Sequence, residues 1–351
     1  MRQLGLALAT LAVAGSMAEA GNLRKVWDFE AGSPGVYALS FSPDGQHIVA
    51  VVGRSWQDEF VLVLDVRDPQ ANKRRLEVNP ELGPYINHHL SWSPSGQQLV
   101  LGRTEVQLAI GKTCSLEGMA GLLFFVGEGR VVTQAIRPVG PLRPDTLVPR
   151  IGHAFLDFFN SACQSAGSWD VPNEYGLFDS SAERGLVFVR QGSGAAILDA
   201  SSRTAIQQLP WMDSARFANS GNAICGVIGA EWEVSARCLD VDTGKELATS
   251  KIFTHLEINP ALHARRVVLS DYGRKFDFIY FRWYLGSLKN RVVWDFGTGK
   301  QLVSWRPKSQ TVFSRDGALG GTQPYAFDIS PDGDYIVEGG AGTVSLYRIE
   351  P

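Results

Sequence analysis

No basic stripe runs through this chain. Lys and Arg number 33 against 36 Asp and Glu, a formal charge of -3, so binding to a phosphate backbone has little electrostatic support and no nucleic acid partner is expected. Beyond residue 20, no apolar run approaches the roughly 18 to 20 residues that a membrane helix needs. Motifs that carry chemistry are scarce as well. Gly-x-Ser-x-Gly is absent, which removes support for an elbow-type hydrolase. Zinc would want His-Glu-x-x-His or paired Cys-x-x-Cys, and neither occurs. Gly111-Lys112-Thr113 has Val106 where a phosphate loop requires glycine, and Asp240-Val241-Asp242 lacks the remaining ligands of a calcium loop. No cofactor, metal ligand or catalytic residue is therefore expected.

Cysteine is sparse, with four in 351 residues. The chain opens with Arg2, an apolar run from Leu4 to Ala14, and Ala18-Glu19-Ala20 before Gly21, the pattern of a signal peptide over residues 1–20. No cysteine lies near that cleavage site, so a soluble secreted or periplasmic protein is expected rather than a lipid-anchored one. In an exported chain four cysteines suggest disulfides, and four thiols allow three pairings. Cys225 and Cys238 fall on adjacent antiparallel strands of one hairpin, whereas Cys114 and Cys163 follow the third strands of neighbouring repeats. Those two pairs are the expected bridges.

What the chain does have is repetition. Val63-Leu64-Asp65, Phe155-Leu156-Asp157, Ile197-Leu198-Asp199, Cys238-Leu239-Asp240 and Val293-Trp294-Asp295 recur at about the length of one four-stranded unit. A turn pattern precedes them, clearest in Ser42-Pro43-Asp44-Gly45 and Ser330-Pro331-Asp332-Gly333, with Ser93-Pro94-Ser95-Gly96 a looser copy. Proline presets φ, the short polar side chains bond nearby backbone, and glycine closes the turn. Third strands centre near Asp65, Ala109, Asp157, Asp199, Asp240, Asp295 and Tyr347. The expected fold is all-β: a seven-bladed β-propeller of four-stranded antiparallel blades in a single domain over residues 21–351. The last repeat lacks its fourth strand, and Leu23–Phe29 is expected to supply it and close the ring.

The Ser-Pro-Asp-Gly and Leu/Trp-Asp copies, spread over nearly the whole mature chain, resemble the WD-repeat and YVTN-type propellers of bacteria. That resemblance implies a binding scaffold. Bacterial propellers of similar repeat type also include lactone-ring hydrolases, which leaves Asp213, Glu174 and His255 as acid–base candidates under that alternative. A subunit of an exported redox complex is a further alternative.

Strand alternation sends the first-to-second and third-to-fourth turns to one side of the ring. Every long insertion falls on the other side: 53–60, 79–87, 136–152, 271–290 and 306–325. Connections of such length are commonly functional. The fourth insertion interleaves aromatics with basic residues, including Tyr280, Arg282, Trp283 and Tyr284, a composition enriched at interfaces. His88, His89, Tyr175, Trp211, Asp213, His255 and Tyr325 lie at the starts of first strands, where residues from several blades converge. The expectation is a non-catalytic exported propeller whose loop-rich face receives a protein, peptide or glycan.

Overall fold

A computed structural model describes residues 21–32, 35–53, 60–77, 90–101, 104–107, 112–115, 123–137, 153–172, 175–230, 233–253, 256–272, 288–306, 326–340 and 342–350. The expected signal peptide, residues 1–20, lies outside them. All regular structure among the described residues is strand. The strands pair into four-stranded antiparallel sheets. The first sheet runs Gly35–Phe41, His47–Gly53, Phe60–Asp65 and Arg74–Glu77. The second is built only of short strands, Leu90–Trp92, Gln98–Leu101, Thr104–Gln107 and Lys112–Ser115. The third comprises Leu123–Phe125, Arg130–Arg137, His153–Asn160 and Ser165–Val171. The fourth holds Tyr175–Ser181, Leu186–Gln191, Gly194–Asp199 and Thr204–Pro210. The fifth holds Asp213–Ala218, Ala223–Ala230, Glu233–Asp240 and Glu246–Thr249. Leu256–Pro260, Arg266–Tyr272, Leu288–Asp295 and Lys300–Trp305 make the sixth. In the last sheet, Phe327–Ile329, Tyr335–Gly340 and Thr343–Glu350 are joined by Asn22–Glu30 from the other end of the chain. Asn22 faces Glu350 and Glu30 faces Thr343.

The middle strands are apolar at successive positions because neighbouring sheets cover both of their faces. Ile48, Val49, Ala50, Val51 and Val52 are all wholly buried. Such unbroken runs mark a strand enclosed on both sides. Outer strands instead meet solvent, as the mostly exposed Thr204–Pro210 shows. The core is therefore divided into layers between sheets. One layer joins Cys225, Val227, Ala236 and Cys238 of the fifth sheet to Val267, Leu269, Val292 and Trp294 of the sixth. Each large side chain buried there contributes roughly 1.5 to 3 kcal/mol.

The recurring turn is built by its own side chains. Ser42 Oγ donates to Asp44 Oδ1 at 2.5 Å and accepts His47 N at 2.9 Å, while Gly45 N donates to Ser42 O at 2.8 Å. Ser330, Asp332, Gly333 and Tyr335 repeat these bonds at 2.5, 2.8 and 2.9 Å. Gly45 and Gly333 sit at φ of 68° and 76°, a left-handed conformation that glycine adopts without steric cost. The aspartates ending third strands cap the next turn: Asp65, Asp199, Asp240 and Asp295 accept the backbone N–H of Arg67, Ser201, Thr243 and Gly297.

The third strand of the third repeat is centred near Asp157 as expected, whereas that of the second repeat is displaced. In the third repeat the turn-capping role belongs to Asn160, whose Oδ1 accepts Ala162 N and Gln164 N at 3.0 Å each. Asp157 lies inside its strand, buried, and accepts Ser168 Oγ. Register shows why: Asn160 faces Arg130 as Asp65 faces His47. In the second repeat the third strand is Thr104–Gln107 and ends before Ala109, which lies outside the described residues.

First strands of successive sheets are neighbours, and polar side chains link most of these neighbours. Asp328 Oδ2 accepts Phe41 N at 2.7 Å, Ser40 Oγ accepts Trp92 Nε1 at 3.1 Å, and Ser91 Oγ accepts Phe125 N at 3.0 Å. Ser180 Oγ donates to Phe125 O, Asp179 Oδ2 accepts Phe217 N, and Asn259 Nδ2 donates to Asp328 Oδ1. Four of these six bonds satisfy backbone groups, at Phe41, Phe125 and Phe217, that have no ladder partner on that side. Burial raises the carboxyls of Asp179 and Asp328 to about 6, against the pull of Arg216 on the first and of the backbone N–H donors on both.

Candidate functional site

Antiparallel register puts the starts of first and third strands and the ends of second and fourth strands at one edge of each sheet. In the first sheet Gly35 faces Gly53, Val52 faces Phe60 and Phe60 faces Glu77. The five long insertions spring from strand ends of this class. Their interiors, with Tyr280, Arg282, Trp283, Tyr284 and Tyr325, lie outside the described residues, as do His88, His89, Glu174 and His255. Tyr175 starts its strand opposite Gln191, and its side chain too is outside them. Trp211 and Asp213 can be placed in full.

Trp211 stands in the short connection between the fourth and fifth sheets, and Asp213 opens the first strand of the fifth. Met212 between them is wholly buried, so alternation turns Trp211 and Asp213 outward. Gly226 makes room for that anchor: a Cβ there would sit 2.4 Å from Met212 Cβ. Trp211 Nε1 donates to Asp213 Oδ1 at 2.9 Å. The indole is flanked by the Phe178 ring, edge-on with centroids 5.2 Å apart, and by the Arg190 guanidinium 4.9 Å from its centroid. Arg190 Nε is held by Gly192 O at 3.2 Å. A pairing irregularity between Leu177 and Asp179 turns Phe178 outward, 37% exposed, and buries Asp179 beside it. Bulges re-aim side chains in this way.

The arrangement offers an amphipathic aromatic surface whose polar atoms are already oriented. Asp213 accepts the indole N–H with one carboxylate oxygen. Phe178 and Arg190 were not singled out in the sequence. Phe178 depends on a one-residue register shift that alternation does not reveal, and Arg190 looked like any solvent-facing strand residue. Among the described residues no group of three His, Cys, Asp or Glu side chains is placed to hold a metal.

The opposite side of the ring carries a residue that the repeat pattern also passed over. His263, in the first turn of the sixth sheet, meets Pro43 O through Nε2 at 3.0 Å and Ser220 Oγ through Nδ1 at 2.9 Å. Its backbone N–H donates to Pro331 O at 2.8 Å, and Glu183 stands 3.4 Å from Nδ1. Contacts to the first, fourth, fifth and last sheets from one side chain and its backbone mean that His263 reaches across the mouth on the tight-turn side.

Cys225 and Cys238 face each other across the second and third strands of the fifth sheet and are disulfide-bonded, as expected. The side chain of Cys114 lies outside the described residues. No family model and no curated protein matches the chain. Among solved structures it is similar to the β-propeller domain of Cps50 (Swd1) from Myceliophteria thermophila, with a TM-score of 0.58 and 12% identity over 93% of this chain and 100% of that one. The chain folds as a β-propeller. At that identity the likeness concerns the fold alone. The propeller's blades are four-stranded and antiparallel. Among the described residues no helix is long and apolar enough to cross a membrane.

Proposed function

We propose that this propeller is an exported, non-catalytic scaffold that receives a protein, peptide or glycan on its loop-bearing face. The observation that carries the reading is the Trp211 group. A tryptophan flanked by Arg190 over its ring and by an outward Phe178 edge-on stands on the edge from which every long insertion springs. Aromatics and arginine of this kind anchor interfaces. On the opposite side, His263 ties several sheets together through Pro43 O and Ser220 Oγ. Export is supported by the leader-like residues 1–20 and by the Cys225–Cys238 bridge. Cys163 is also disulfide-bonded, which supports its pairing with Cys114.

The ring itself is read as one domain of seven blades, latched by residues 22–30. Support comes from the seven four-stranded sheets, of which Leu90–Ser115 is the most irregular, and from the pairing of Asn22–Glu30 with Thr343–Glu350. Affinity capture from an envelope fraction tests the function, using the propeller and its Trp211→Ala and Arg190→Ala variants as baits. Loss of the same captured species with both variants is the expected result. An identical set of captured species from all three baits would remove the Trp211 face as the binding site.

A further inference from the structure

Between the fifth and sixth sheets, near the same edge, the apolar layer opens into a cleft of about 490 Å³. Its floor is Val292 and Phe253, both buried. Phe253 is fixed there by reciprocal backbone bonds with Val234 at 3.0 and 2.7 Å. One wall carries Glu233, Lys251 and Ile252, the last 68% exposed, and the other carries Asp271, Asn290, Gln301 and Ser304. Asp271 and Asn290 are direct cross-strand partners. They continue the face that holds Leu269 and Val292, at the point where that face stops being apolar.

Asp271 distinguishes this cleft from an ordinary gap between blades. Its Oδ1 is shielded from solvent and accepts no hydrogen bond among the described residues. A shielded carboxylate oxygen without a donor is costly, and the cost is relieved by a donor brought from outside. A cationic nitrogen is the donor that gains most, since a charge-assisted bond is roughly twice as strong as a neutral one. Two carboxylates against one ammonium leave the walls net negative. Lys251 is drawn toward the Phe253 ring, 5.5 Å from its centroid, and so is partly engaged. The apolar floor and the exposed Ile252 suit the methylene stem of a long basic side chain, whose charged end remains polar.

We propose that this cleft receives the basic side chain, arginine or lysine, of a peptide partner, with the stem on Val292, Phe253 and Ile252 and the charged end at Asp271. The proposal rests on the scaffold reading and specifies partner chemistry at a place separate from Trp211. It is tested by NMR titration of the isotope-labelled mature protein with acetyl-Gly-Arg-Gly-amide, its lysine counterpart, and a neutral citrulline counterpart of the same shape. Shifts confined to the cleft with the two basic peptides, and none with citrulline, are expected. Asp271→Asn keeps the side chain's size and should weaken the basic peptides at least about tenfold, whereas Lys251→Gln should strengthen them. Unmoved amide signals of the Cys225–Cys238 hairpin report that each variant is folded. Equal binding of citrulline, unchanged affinity in Asp271→Asn, or no cleft shift with either basic peptide would overturn the proposal. None of these outcomes bears on Trp211, whose variants would still lose their captured species if the scaffold reading holds.

Discussion

Replacing Asp179 by asparagine removes a charge that the fold holds out of water. The carboxyl lies at about 6 rather than 3.8, raised first by desolvation and restrained by Arg216 and by the backbone N–H groups of Phe217 and Ser180. A folded value above the unfolded one means that the native state holds the proton more tightly. Stability from this group is thus fully present below about pH 4 and is lost as pH rises through about 6. A displacement of about two units corresponds to an upper bound of about 3 kcal/mol at neutral pH. Asparagine keeps an oxygen for Phe217 N, which the carboxylate accepts at 2.7 Å. It gives up the Arg216 pair, but that contact is long, 3.8 Å, and the arginine is half exposed, so the loss is about 0 to 1 kcal/mol. Relief of the buried charge wins. Urea unfolding followed by tryptophan fluorescence from about pH 4 to 8 is the assay. The variant should match the parent at the acid end and exceed it by about 2 kcal/mol near pH 7.5, with a flatter profile. Parallel profiles, or a variant weaker at pH 7.5, would refute the reasoning.

Asp328→Asn should flatten the profile in the same sense, since burial raises that carboxyl to about 6 as well; Asp328→Ala should instead destabilise at every pH, because Phe41 N and Asn259 Nδ2 lose their acceptor. Opening the Cys225–Cys238 bridge by a double serine substitution should cost about 3 kcal/mol, the loop-entropy value for a closed loop of this size, read as a lowered denaturation midpoint. Gly226→Ala forces a methyl against Met212 Cβ and should cost roughly 1 to 3 kcal/mol as an overpacked site, while blurring the amide signals of Trp211 and Asp213. His263→Ala removes two polar contacts across the tight-turn mouth and should raise amide exchange in the turns at Pro43 and Ser220 without lowering partner capture.

Much of the scaffold was legible because its turns are made from their own residues. Ser-Pro-Asp-Gly encodes the hydroxyl-to-carboxylate and backbone bonds seen at Ser42 and Ser330, so the motif and the geometry are one thing. The Cys225–Cys238 pair was legible for a related reason, since a short hairpin allows little choice of register. The turn after the third repeat's third strand was less legible, because Asn160 caps it where an aspartate of the Leu-Asp motif does so in other repeats. The site was less legible. Phe178 and Arg190 reach Trp211 through a bulge and a neighbouring strand, and the cleft at Asp271 is formed by two blades whose contact no local pattern specifies.

The last sheet is assembled from both extremities. Ser345 Oγ donates to Asp28 Oδ1 at 2.6 Å across 317 residues, and Trp27 Nε1 donates to Val66 O at 2.7 Å, so one short segment serves two neighbouring blades. Contacts so distant along the chain are slow to form, because loop closure must precede any reward. A growing polypeptide can complete its interior blades in order, yet Asn22–Glu30 stays without its mate until Thr343–Glu350 has been made. Circular permutants that open a tight turn elsewhere and join Glu350 to Asn22 by a short linker should convert this step into a local hairpin and refold faster.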